Sequence, residues 1–90
     1  MTVFKIGAVW CNSCNVMRPR WKEIEAENPW LETKYFEYDD HPELIDKYGI
    51  EEDVMPVFIF IGSDGTELAR LTGEPSKNEI LALIASYRDK

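Results

Sequence analysis

The sequence predicts a single α/β domain over residues 1–90, built as a mixed four-stranded sheet with helices on both faces. Three observations predict it. An apolar strand runs into a helical stripe and out again to a second strand, the pattern of a right-handed parallel crossover. The unbroken apolar run Val57-Phe58-Ile59-Phe60-Ile61 stands just before the turn residues Gly62-Ser63-Asp64-Gly65, which marks an antiparallel hairpin. Ser76 with Glu79 forms a capping box in front of an apolar helical face.

The first strand is expected over Val3 to Val9, apolar and β-branched. From Cys11 to Glu27 the residues Met17, Trp21 and Ile24 fall at i, i+4 and i+7, one stripe of a helix that Asn28-Pro29 ends and Pro19 kinks. Thr33 to Asp39 is rich in strand formers. Asp40 with Glu43 resembles a second capping box, and Pro42 in its first turn fits a short helix through Leu44, Ile45 and Tyr48 that stops at Gly49. Ile50 to Met55 reads as a loop. Val57 to Ile61 is a strand buried on both faces, and Thr66 to Thr72, more polar, is its returning edge strand. Ile80, Leu81, Leu83, Ile84 and Tyr87 give the last helix a broad apolar face. Tyr35, Tyr38, Phe58 and Phe60 read as core, and His41 as a solvated residue at a helix start.

With 90 residues, 44% of them apolar and 30% charged, the chain has the composition of one small globular domain. Its formal net charge of −7 and its lack of a Lys/Arg cluster argue against nucleic acid as a partner. No apolar run approaches a membrane span, and Met1-Thr2-Val3-Phe4-Lys5-Ile6 lacks the basic and apolar regions of a signal peptide. A cytoplasmic monomer that meets other proteins, with neither nucleic acid nor membrane as partner, is therefore the expectation.

The chemistry lies in Trp10-Cys11-Asn12-Ser13-Cys14. Two cysteines so close, and only two, do not make a disulfide framework for a secreted miniprotein. A thiolate is the attacking species in disulfide exchange, and a helix amino terminus favours negative charge, so Cys11 is placed to be the nucleophile. A separation of three residues brings Cys14 one turn beneath it, placed to resolve a mixed disulfide formed there. Inert buried thiols and half of a zinc site are the other readings. Zinc needs four ligands, however, and His41 is the one further donor, so a metal would require two chains. The strand–helix–strand context favours the redox dithiol, with no metal and no cofactor.

These landmarks together resemble the thioredoxin family along nearly the whole chain. They are Trp10 before the first cysteine, the Cys11–Cys14 spacing, Pro19 five residues later, Lys47-Tyr48-Gly49-Ile50, Met55-Pro56-Val57-Phe58, Asp64-Gly65 and Leu71-Thr72-Gly73. The resemblance implies a thioredoxin-like fold and a protein-disulfide reductase that cycles Cys11 and Cys14 between dithiol and disulfide. It implies a substrate groove of Trp10, Met55, Pro56, Thr72 and Gly73, with Trp10 flanking the thiol and Pro56 cis and facing it. The Met55 backbone would pair with an extended peptide and Gly73 would keep the groove open. Protein disulfides would be the substrates, and a reductase or thiol donor the electron source. The bland alternatives are a core Trp10, a trans Pro56 that merely begins a strand, and Gly73 as a turn residue.

Four departures matter. Asn12-Ser13 replaces the family's Gly-Pro, so the potential does not carry over; related dithiols span roughly −270 to −120 mV. The amino-terminal strand and helix of full-length thioredoxins have no counterpart, which predicts a narrower sheet. The loop Glu51-Glu52-Asp53-Val54-Met55 is longer and more acidic. Lys5 stands six residues before the first cysteine, where the family keeps a buried acid. An ammonium there would favour the thiolate and tune its pKa, whereas a surface lysine would do nothing. A glutaredoxin-like, glutathione-dependent reductase is the enzymatic rival, although Thr72-Gly73-Glu74-Pro75 lacks that family's Gly-Gly-x-Asp. A non-catalytic binding module on the same fold is the rival from another class.

Overall fold

A computed structural model describes all residues 1–90. Strand β1 (Thr2–Gly7) leads into helix α1 (Asn12–Glu27), strand β2 (Glu32–Glu37) and helix α2 (Pro42–Tyr48), followed by the hairpin β3 (Val57–Ile61) and β4 (Glu67–Thr72) and helix α3 (Lys77–Tyr87). The sheet order is β2-β1-β3-β4. Strands β1 and β2 pair in parallel with Lys5 opposite Tyr35 and Gly7 opposite Glu37, and the other two pairings are antiparallel. The expected mixed sheet is therefore present, and β2 and β4 are its edges.

Alternation along the strands builds two apolar layers. Val3, Phe58 and Phe60 pack against Met17, Trp21 and Ile24 of α1 and Ile80 and Ile84 of α3. On the other face Ile6, Val57, Ile59 and Ile61 meet Ile45 and Tyr48 of α2. Every residue of β3 is buried, as a central strand covered on both faces should be. No helix is long and apolar enough to cross a membrane.

Six expectations need correction. Strand β1 stops at Gly7 and not at Val9, because residues 8–11 turn, with the Cys11 N–H bonded to the Ala8 carbonyl at 3.2 Å. Strand β2 ends at Glu37, where its ladder partner β1 runs out, and Tyr38–Asp40 coil into a 3-10 turn. That turn consumes Asp40, so α2 is capped at His41 without a side-chain cap bond, and the ring Nδ1 pairs with Glu43 Oε1 at 2.9 Å instead. The stretch expected as a loop holds a 3-10 turn at Glu52–Val54. Tyr35 is also not core: on an edge strand it is 47% exposed. Thr66 belongs to the hairpin turn and not to β4, its N–H donating to Asp64 Oδ1 at 3.0 Å. The Ser76 cap forms as expected, its Oγ accepting from the Glu79 N–H at 3.1 Å.

Candidate functional site: the dithiol at the α1 amino terminus

Cys11 is the N-cap of α1. Its backbone is extended (φ −94°, ψ 117°), and its Sγ accepts the Cys14 N–H at 3.2 Å. A serine or aspartate normally takes this place because the first helical N–H groups lack partners inside the helix. With sulfur there, the free N–H groups and the helix dipole stabilise negative charge on the residue expected to attack. Cys14 follows one turn on and is 4% exposed; both cysteines are free thiols. Burial pushes the Cys14 thiol up to about 12, helped by its hydrogen bond with Cys11 and opposed by a backbone hydrogen bond at Ala8 and, less, by the Arg18 guanidinium. The two sulfurs, alike in sequence, thus sit in different electrostatic settings.

Of the loop residues named from sequence, Met55 and Pro56 lie beside this pair. Cys11, Cys14 and Met55 share one buried cluster, and the Met55–Pro56 peptide bond is cis. The Pro56 carbonyl accepts the Gly73 N–H at 2.9 Å, and Thr72 pairs with Val57 at the head of the hairpin. Gly73 has φ 75°, which favours glycine, and a Cβ there would meet nothing within 4 Å, so conformation rather than crowding calls for a glycine. Trp10 is 46% exposed, edge-on to Tyr38 with centroids 6.0 Å apart, and its Nε1 donates to Asp39 at 2.9 Å. Ser13, between the cysteines, donates to Glu74 at 2.8 Å, and Glu37 accepts the Val9 N–H at 3.1 Å.

Lys5 lies behind the dithiol in a cavity of about 350 Å³ that Cys14, Arg18, Trp21, Tyr35 and Pro56 also line. Its side chain is 18% exposed and its ammonium pairs with Glu25 at 2.6 Å, 5.7 Å from the centre of the Trp21 ring. Thr33 also donates to that carboxylate, at 2.9 Å. Lys5 is thus neither an unpaired cation under the thiolate nor a surface residue. The sequence pattern does not single out Glu25, Glu37, Asp39 or Glu74. For Glu25 a signal exists: it follows Trp21 by one helical turn, on the face that looks at the odd residues of β1.

Two free thiols one turn apart at a helix start, after a strand of a mixed sheet, define a class of protein: the thiol–disulfide oxidoreductases. The comparisons agree. A family profile described as Thioredoxin matches residues 1–88, and the chain belongs to the thioredoxin family. It is 31% identical over 80 residues to a thioredoxin of Chlamydia caviae, covering 89% of this chain and 76% of that protein. In structure it resembles Fasciola hepatica thioredoxin, with a TM-score of 0.84 and 28% identity over 96% of this chain and 79% of that one. It shares the fold of thioredoxin NaTrxh from Nicotiana alata, with a TM-score of 0.85 and 23% identity over 96% and 71% of the two chains.

Proposed function

We propose that the protein reduces disulfides in other proteins, with Cys11 as nucleophile and Cys14 as resolving thiol. The observation that carries this reading is the Cys11 sulfur at the α1 N-cap, with Cys14 buried directly beneath it. The Cys11 thiolate attacks one sulfur of the substrate disulfide, and the other leaves as a thiolate. The Cys14 sulfur then attacks Cys11, closing the protein's own disulfide and releasing the second substrate thiolate. Two electrons have moved from the protein dithiol to the substrate, and a thiol donor or reductase returns them. The relatives named as thioredoxins support the same direction. Trp10, Met55, Pro56, Thr72 and Gly73 form the groove in which an extended substrate strand lies, a cytoplasmic monomer being the working form.

The test is insulin reduction with a small dithiol as donor, followed by precipitation of the freed chain. The protein should accelerate it over the donor alone and Cys11→Ser should not. No acceleration by the unaltered protein would leave the non-catalytic module as the better reading.

A further inference from the structure

We propose that Tyr35, backed by Glu37, accepts the proton of Cys14 when that thiol resolves the mixed disulfide. This rests on the dithiol reading above. A thiol as buried as Cys14 needs a base for its attack, since the thiolate and not the thiol is the nucleophile. At the position where the family keeps its buried acid this chain has Lys5, a cation already bound to Glu25.

The groups that face the cavity behind Cys14 are few. From β1 there is Lys5; from α1, Arg18, Lys22 and Glu25; from β2, Tyr35 and Glu37; β3 contributes only Phe58, and the residue just before that strand is Pro56. The three cations are not bases. Glu25 is already committed to the Lys5 ammonium as its ion-pair partner and also accepts the Thr33 hydroxyl. What remains is the phenol and the carboxylate it leans on: Tyr35 donates its hydroxyl hydrogen to Glu37 Oε1 at 2.8 Å.

Gly7 is what lets the phenol reach the thiol. A Cβ at that position would stand 3.2 Å from the Tyr35 hydroxyl and 3.3 Å from the Cys14 sulfur, so the two atoms border one small space that glycine leaves empty. A base has to reach its proton directly or across one water, and this space permits it. Burial pushes Tyr35 up to about 12, with Glu37 adding to the rise and Arg18 opposing it, the same value to which burial pushes Cys14.

In the step, the Cys14 sulfur forms its bond to Cys11 while the bond from Cys11 to the substrate sulfur breaks. The Cys14 proton passes to the Tyr35 oxygen as the Tyr35 hydroxyl proton passes to Glu37, which gives it up to solvent. The substrate leaves as a thiolate. The phenol carries no charge at any stage, so its raised value is no obstacle.

A chromogenic aryl disulfide separates the two steps in stopped flow. Attack by Cys11 releases the first aryl thiolate and attack by Cys14 the second, each read by absorbance. Tyr35→Phe should leave the first phase unchanged, which also shows that the variant is folded, and slow the second about tenfold or more. Its second phase should recover only toward alkaline pH. Glu37→Gln should show the same split. A second phase equal to that of the unaltered protein in both variants would overturn the proposal. So would a slow second phase in Glu25→Gln alone, which hands the role to the Lys5–Glu25 pair. Loss of the second phase in the unaltered protein is a different failure, because it strikes the dithiol reading itself.

Discussion

Gly7→Ala tests the closest approach in the site. The added methyl would lie 3.1 Å from Tyr35 Cε1, 3.2 Å from its hydroxyl and 3.3 Å from Cys14 Sγ, all inside the roughly 3.5–4.0 Å at which heavy atoms attract. Gly7 is not among the glycines with positive φ, so an alanine backbone fits there without strain and gains about 0.4–1 kcal/mol by restricting the unfolded chain. Against that stands overpacking, about 1–3 kcal/mol, since Cys14 is fixed in α1 and only Tyr35, on its edge strand, is free to yield. The net expectation is a destabilisation of about 1 kcal/mol. For a chain of this size that lowers Tm by about 4–8 °C in thermal unfolding followed by circular dichroism. The displaced phenol should also slow the resolving step with the attacking step intact. A Gly7→Ala protein that is more stable than its parent and resolves at the parent rate would refute the shared space between phenol and thiol.

Two further predictions follow from the charges behind the dithiol. Lys5→Met leaves Glu25 without its cation and should lower Tm, while adding Glu25→Gln should restore part of the loss, with a coupling of about 0.5–1 kcal/mol in a double-mutant cycle; additive losses would show that the pair is not an energetic unit. Cys14 has a folded-state value, about 12, above the 9.0 of a free thiol. Its contribution to the stability of the reduced protein is therefore full below about pH 9 and is lost as pH rises toward 12, because the unfolded chain releases the proton first. Urea unfolding of the reduced protein should weaken across that window more than in Cys14→Ala; equal slopes would mean that Cys14 is not buried as described.

What the sequence made legible was local. The apolar run of β3, the Asp64-Gly65 turn and the Ser76 cap are each encoded within a few neighbouring residues, and each stands where the pattern placed it. The parallel crossover is equally plain, because a strand feeding a helical stripe has few ways to return to the sheet. Cys11 and Cys14 needed only their spacing and the strand before them. Boundaries that depend on a partner were not legible: β2 ends at Glu37 because β1 ends opposite it, and Asp40 loses its capping role to the turn that follows. The surroundings of the dithiol were hidden for the same reason. Lys5 meets Glu25 across 20 positions, and Val9 meets Glu37 across 28. Tyr35 has the residue type of a core position, and only its place on an edge strand puts it beside Gly7 and half in solvent.

The central claim is that the two thiols have different roles, and trapping of the mixed disulfide tests it most directly. Cys14→Ser and Cys11→Ser are each incubated with a disulfide-bonded peptide and the products are resolved by intact mass under acid quench. Cys14→Ser should accumulate a stable adduct of one peptide chain on Cys11, since nothing remains to release it, and Cys11→Ser should stay unmodified because the thiol that remains, Cys14, is held in its protonated form. Equal trapping by the two variants, or an adduct on Cys14 alone, would contradict the assignment.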